Sequence, residues 1–198
     1  NIKNIKIIFN KTKKGLVQSS IIAIKASRGN YVLRLDADDY LNPHALKHMF
    51  EKIKNKPDVA LVFPDFFNID KNSNFISRFK YYHKKNYTLI DQPAHGACSL
   101  ISKKVFFKIG GYNKLFDRQD GFYIWLLILL NKFRIIHCNK PLFYYRKHGK
   151  NLSKNIAKIL KTRLKILLFF LEKKQYYSPP LLQLKKNTIL RLKKYRAR

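Results

Sequence analysis

Acidic side chains are what this sequence has least of. Eleven Asp and Glu stand against 42 Lys and Arg in 198 residues, a formal net charge of +31. That balance points to anionic partners: phosphates, nucleic acid or an anionic membrane face. The chain is also rich in Lys, Asn and Ile together, a usage bias that raises charge without designing a site. Cysteine is nearly absent. Cys98 and Cys138 are too few and too far apart for a disulfide framework or a metal knuckle, so a reduced cytosolic setting is expected. Long apolar runs are missing too. "WLLILL" (125–130) and "ILLFFL" (166–171) fall short of the roughly 18 residues of a spanning helix, and no signal peptide is visible. No G-x-G-x-x-G turn follows a strand, which argues against a dinucleotide-dependent oxidoreductase. Apolar residues, by contrast, make up 46% of the chain, with fifteen Phe and twelve Tyr. A disordered chain has far less to bury.

Hydrophobic patterning gives the order of elements. "IKIIF" (5–9) reads as a buried strand, and its closeness to Asn1 predicts an earlier strand of the same fold outside the sequence. A helix is expected over 16–27, ending near Gly29, followed by the strand "YVLRL" (31–35). Asn42 and Pro43 form an N-cap and first-turn pair, with Leu46, Met49, Phe50 and Ile53 at helical spacing up to Pro57. "VALVF" (59–63) is the next strand, and residues 66–92 read as an extended loop. Ser102 caps a short helix that ends at Gly110-Gly111, and 121–132 reads as a buried helix around Trp125. "FRIIH" and "LFYYR" are short strands. From Asn155 the chain turns helical and basic, with Pro179-Pro180 dividing two pieces. Strands alternating with helices predict an α/β fold, a mainly parallel sheet with helices on both faces. Residues 1–154 are expected to form one domain, and 155–198 a basic helical extension.

Three of the eleven acids crowd into "RLDADDYLNP", where a strand gives way to a loop before a capped helix. Open α/β sheets bind ligands at the carboxyl ends of their strands. One carboxylate suffices as a cap; three adjacent ones repel each other. A divalent cation removes that repulsion and leaves charge to hold a diphosphate. Oxygen ligands favour Mg²⁺ or Mn²⁺, whereas zinc wants Cys or His at ligand spacing, and none stands near.

The stretch "KGLVQSSIIAIKASRGNYVLRLDADDYLNPHAL" resembles the core of a family 2 glycosyltransferase of the GT-A type, which uses a nucleotide-sugar donor. Two further blocks agree with that resemblance. "HGACSLISKKVFFKIGGYNKLFDRQDGFYIWLLIL" (95–129) is similar to the family's acceptor-side segment, and "YYRKHGKNLS" (144–153) to its Tyr-Arg-x-His segment. The resemblance implies a DXD motif at Asp36-Ala37-Asp38, followed by Asp39. It makes Asp38 and Asp36 metal and donor ligands, with Asp39 beside them, and Asp120 the catalytic base. Arg146 and His148 are implied at the donor, His148 also as a metal ligand. The family usually has Asn where Ile21 stands.

The implied reaction moves a sugar from a nucleoside-diphosphate donor to a hydroxyl of a glycan or lipid-linked acceptor. One base and no visible second nucleophile favour inversion. Duller roles stand beside these: Asp120 or Asp117 as a helix cap, His148 as a surface histidine, Arg146 as one cation among many. His95 is a candidate for the acceptor border, and Asp65, at another strand end, for the donor pocket. The helix over 156–171 mixes Leu and Ile with Lys and Arg, which suits either an anionic bilayer at the cytoplasmic face or packing on the sheet. A nucleotidyltransferase shares the carboxylates and the metal. A nucleic-acid binder shares the charge, but no known module for it appears, and no specific nucleic acid is expected.

Overall fold

In the computed structural model, which describes residues 5–149, 151 and 154–196, the centre of the molecule is an eleven-residue strand, Val59–Ile69. "VALVFPDFFNI" carries apolar residues on both faces, as a strand covered on both sides must. Val62, Phe63 and Ala60 are fully enclosed. In chain order the elements are α1 (Gly15–Ala26), β1 (Tyr31–Leu33), β2 (Tyr40–Leu41), α2 (Ala45–Ile53), β3 (Val59–Ile69), β4 (Phe75–Phe79) and β5 (Leu100–Ser102). There follow α3 (Lys103–Lys108), α4 (Asp120–Leu130), β6 (Arg134–Arg146), α5 (Ile156–Leu171) and α6 (Pro179–Arg196). A 3₁₀ turn at Lys174–Tyr176 links the last two helices.

The sheet runs β1-β5-β3-β6-β2, with β4 paired to β3. It is mixed, which corrects the expectation of a mainly parallel sheet. β3 and β6 run parallel; β1/β5, β3/β5, β3/β4 and β2/β6 are antiparallel. The segment 5–9 is a second correction. It forms no strand, and Ile5, Ile7 and Phe9 are largely exposed.

Residues 66–92 are not simply loop. β3 continues to Ile69 and turns at Asp70, whose Oδ1 accepts the N–H groups of Asn72 and Asn74, into the antiparallel β4. The alternation that marks a half-buried strand is absent there because both faces of β3 are covered. The two short strands expected at 133–137 and 142–146 are one, β6. Its register against β3 slips where Pro64↔Cys138 gives way to Asp65↔Pro141, so a bulge absorbs Asn139 and Lys140. Pro64 and Pro141 both sit at that irregularity, where a missing N–H is tolerated.

Helices cover the sheet. α2 buries Ala45, Met49 and Ile53, four apart, and leaves Leu46 and Phe50 substantially exposed. Asn42 starts this helix as an Asx turn, its Oδ1 accepting the His44 N–H at 2.9 Å. Ser102 caps α3 as expected, accepting from the Val105 N–H. α4 is apolar on nearly every side, and Trp125 is fully buried with its ring 5.7 Å from that of Phe63. The C-terminal helices are not set apart from this core. Phe170 of α5 stacks on Tyr123 of α4 at 5.2 Å, and Ile166, Leu167, Phe170 and Leu181 belong to the same buried cluster. Among the described residues no helix is long and apolar enough to cross a membrane.

Candidate active site

β1 ends at Leu33, and the chain then builds a tight acidic loop over Arg34–Asp39. Three backbone contacts fix it. The Arg34 carbonyl accepts from the Cys98 N–H at 2.8 Å, the Asp39 N–H donates to the Asp36 carbonyl at 3.1 Å, and the Asn42 N–H to the Leu142 carbonyl at 2.9 Å. β2 pairs Tyr40 with Tyr144, and their rings stack at 4.4 Å. The loop therefore lies against the end of β6.

Its carboxylates do different things. Asp39 turns inward: it is 8% exposed, and its Oδ1 accepts the Arg146 N–H at 2.8 Å. Its Oδ2 is buried without a partner, and burial, with Asp38 and Asp36 alongside, pushes its carboxyl up to about 6 against the pull of the Arg146 N–H. Asp39 is thus an anchor beneath the loop and does not line the cleft. Asp36 and Asp38 do line it. Asp38 meets His148, whose Nε2 lies 2.7 Å from its Oδ2. Asp36 forms an ion pair with the Nε of Arg34 at 3.0 Å.

Arg34 reaches further. Its Nη1 donates to Oδ2 of Asp120, the first residue of α4, so one guanidinium spans from the acidic loop to the Asp120 carboxylate. Glycines make this closeness sterically feasible. A Cβ on Gly121 would sit 2.8 Å from the Gly96 Cα, and one on Gly96 would come 3.1 Å from Arg34 Nη2. The residue before Asp120, Gln119, holds a left-handed backbone at φ 61°, a conformation that non-glycine residues adopt at a cost.

The cleft, about 1070 Å³, runs from α1 past Asp36 and Asp38 to His95, Asp120 and Arg163 of α5. His95 borders it among the rings of Phe66, Phe143 and Tyr145, at 5.5, 5.3 and 4.7 Å. Burial, reinforced by Arg34, lowers its pKa to about 4. Its Nδ1 accepts the Ala97 N–H, so the neutral ring carries its proton on Nε2.

Two expected residues stand elsewhere. Arg146 does not line the cleft. Its Nε donates to the Asp38 carbonyl, and its Nη1 to the carbonyls of Asp70 and Lys71 and to Ser73 Oγ, which ties the acidic loop to the β3–β4 turn. Asp65 is fully buried at the β3 bulge, where it accepts from Arg78, the Tyr81 N–H and His137 Nε2, and it takes no part in the cleft. Its burial follows from the extension of β3 to Ile69, which leaves Asp65 inside the strand instead of at its tip. Asp117 caps nothing; it is exposed in the loop before α4. Lys150, Leu152 and Ser153 of the 144–153 block lie outside the described residues. Arg34 is a cleft-lining side chain that the sequence reading did not single out. Its one sequence signal was a basic residue just before the acidic cluster, two positions from Asp36.

Among the described residues no three His, Cys, Asp or Glu side chains lie close enough to hold a metal by themselves. Mg²⁺ sites seldom need that, since one or two side chains plus substrate phosphates and water complete them. The half-exposed Asp38–His148 pair fits such a site, because its oxygen and nitrogen face each other closely enough to serve one cation.

The model of the family described as "Glycosyl transferase family 2" matches residues 1–110. An uncharacterized glycosyltransferase of Methanocaldococcus jannaschii is 29% identical over 151 residues, covering 73% of this chain and 52% of that protein. The Escherichia coli protein WfgD, a UDP-Glc:alpha-D-GlcNAc-diphosphoundecaprenol beta-1,3-glucosyltransferase, is 24% identical over 170 residues, 85% of this chain and 66% of that one. Among solved structures, S. aureus TarS in complex with UDP-GlcNAc superposes with a TM-score of 0.68 at 15% identity, over 91% of this chain and 54% of that chain. GalNAc-T7 with UDP, GalNAc and Mn²⁺ gives 0.57, also at 15% identity, over 89% and 41%. At that identity the structures share a fold with this chain. The chain spans about half the length of the M. jannaschii relative and of the TarS structure.

Proposed function

Because the chain belongs to glycosyl transferase family 2, we propose that the cleft between Asp38 and Asp120 transfers a sugar from a nucleoside-diphosphate donor to a hydroxyl of a glycan or lipid-linked acceptor, with inversion. The observation that carries this reading is the Arg34 bridge, which sets a cleft-lining acid of the loop and a second, separately positioned carboxylate at a fixed spacing. Asp38 and His148, with Asp36 beside them, would hold Mg²⁺ or Mn²⁺, and that cation supplies Lewis-acid neutralisation of charge on the diphosphate.

The chain's own residues do the rest. Arg34 occupies Oδ2 of Asp120 and orients the carboxylate, leaving Oδ1 to the acceptor. Asp120 takes the proton of the acceptor hydroxyl as that oxygen bonds to the anomeric carbon. The bond to the diphosphate breaks in the same displacement, and the nucleoside diphosphate leaves. His95, neutral and ringed by aromatics, offers its Nε2–H to a sugar or acceptor oxygen without adding charge. Arg146 and Asp39 act from behind by holding the loop. Catalysis is assigned to residues 1–154. The basic C-terminal helices are proposed to rest on an anionic membrane face on the cytoplasmic side, where lipid-linked acceptors are found. The same charge is not taken to mean specific nucleic-acid binding.

The test is a screen of nucleotide-sugars for binding that depends on Mn²⁺ or Mg²⁺. One donor class should bind, and Asp38→Ala should remove the metal dependence. Equal binding by both proteins would overturn the site. For the membrane face, co-sedimentation with phosphatidylglycerol vesicles at low salt should lose its charge dependence when Lys193 and Lys194 are changed to Gln; unchanged binding contradicts the placement.

A further inference from the structure

At the Asp120 end the cleft wall holds more positive charge than the proposed donor chemistry uses. Arg163 projects from α5, its Nε donating to Gln119 Oε1 at 2.6 Å and its guanidinium lying 4.8 Å over the Phe122 ring. Among the described residues no carboxylate is within ion-pair distance of it. Burial, together with the charge of Arg191, lowers its pKa to about 10. Arg118, one residue before Gln119, has a side chain only 14% exposed. Its Nε is buried without a hydrogen-bond partner. The carboxylate nearest to it, Asp117, is 3.5 Å away and 69% exposed, a weak counter-charge. Asp120, the buried carboxylate of the same wall, is already paired with Arg34.

Two guanidiniums removed from water without a buried carboxylate are costly to keep. The left-handed turn at Gln119 is a second cost at the same place. Both side chains line the cleft beside the proposed base. Guanidinium presents a planar fork of donors that matches phosphate oxygens, and two of them together suit a group with more than one negative charge.

We propose that Arg118 and Arg163 form an anion subsite for the acceptor, and that the acceptor carries a phosphate or diphosphate close to the hydroxyl that is glycosylated. This rests on the glycosyltransferase reading for the word acceptor; the subsite itself is a statement about binding.

Inorganic pyrophosphate titrated by calorimetry tests it, once in EDTA and once in Mg²⁺, with sodium glucuronate as the carboxylate probe. In EDTA, wild type and Asp38→Ala should bind pyrophosphate alike. Arg118→Gln/Arg163→Gln should weaken that binding by about tenfold to a hundredfold. The exposed pair Lys104→Gln/Lys186→Gln, of the same net charge, should bind as wild type does. Binding in Mg²⁺ should keep its Asp38-dependent part in the double Arg variant. Because Arg163 also packs on Phe122, Arg163→Lys serves as a second variant. It keeps the charge, and with an unchanged melting temperature it should still lose affinity. Loss equal to that of the lysine control overturns the subsite. Loss confined to the Mg²⁺ arm assigns the arginines to the donor, and tighter binding of glucuronate replaces phosphate by carboxylate; either result contradicts the proposal. None of these readings requires transfer activity, so a failed donor screen leaves them distinct.

Discussion

At the scale of single residues, the proposed chemistry rests on Asp120 and on Arg34, which pairs with it. Asp120→Asn keeps the shape of the carboxylate and removes its basicity. Transfer is expected to fall about 10²–10⁴-fold with donor affinity little changed, which steady-state and binding measurements separate. Arg34→Lys keeps a charge but cannot span Asp36 and Asp120 with one planar group, so the rate should drop with a smaller change in KM; an unaltered rate would contradict the bridge. His95 gives a pH-dependent prediction. Its folded pKa, near 4, lies below the usual 6.5 because burial disfavours the cation. The unfolded chain therefore binds the proton first, and stability falls as pH drops through 6.5 toward 4. Relative to His95→Asn, wild type should lose about 2 kcal/mol between pH 7 and pH 5, read from urea unfolding at each pH. The acidic cluster was legible in the sequence from its crowding alone, whereas Asp120 and His148 were reached through the family resemblance. The division of labour among them was not legible. Whether Asp39 faces the cleft or the core depends on which backbone N–H approaches it, and that N–H belongs to Arg146, 107 positions away.

Elements set these residues at their distances, and here sequence pattern succeeded unevenly. α1, α2, α3 and α4 were readable from apolar period, caps and turn residues, since those signals are local. β3 and β6 were misjudged in length because burial on both faces erases alternation, and a bulge at Pro64 and Pro141 looks like a strand end. The segment 5–9 misled for the opposite reason: its pattern is that of a strand, but no neighbour in the described chain pairs with it. The meeting of α4 with the 93–97 loop yields a prediction of its own. Gly121→Ala forces a Cβ to 2.8 Å from the Gly96 Cα, a backbone contact that cannot yield by rotating a side chain. A loss of about 1–3 kcal/mol is expected, with weakened activity because Asp120 is adjacent. Unchanged stability in a denaturant melt would show that the loop moves freely.

Across the whole molecule, the mixed sheet and the docked C-terminal helices make one packed body out of what composition divides into a catalytic part and a basic tail. Phe170 is fully buried against Tyr123 and Tyr176. Phe170→Ala should cost about 3–5 kcal/mol and lower the melting transition of the entire chain; loss of an isolated, early transition would show that α5 folds separately. The family was legible because three sequence blocks kept their order, and the family model matches residues 1–110. Asp120, His148 and Arg163 lie beyond that span, so the roles proposed for them rest on the cleft's geometry and, for Asp120 and His148, on the resemblance. The most direct test of the central claim is phosphorus NMR of the donor chosen by the screen, recorded with substoichiometric Mn²⁺. The account predicts strong paramagnetic broadening of both diphosphate resonances in the wild-type complex, and broadening no greater than in protein-free solution with Asp38→Ala. Equal broadening in the two proteins would place the metal, and the diphosphate with it, somewhere else.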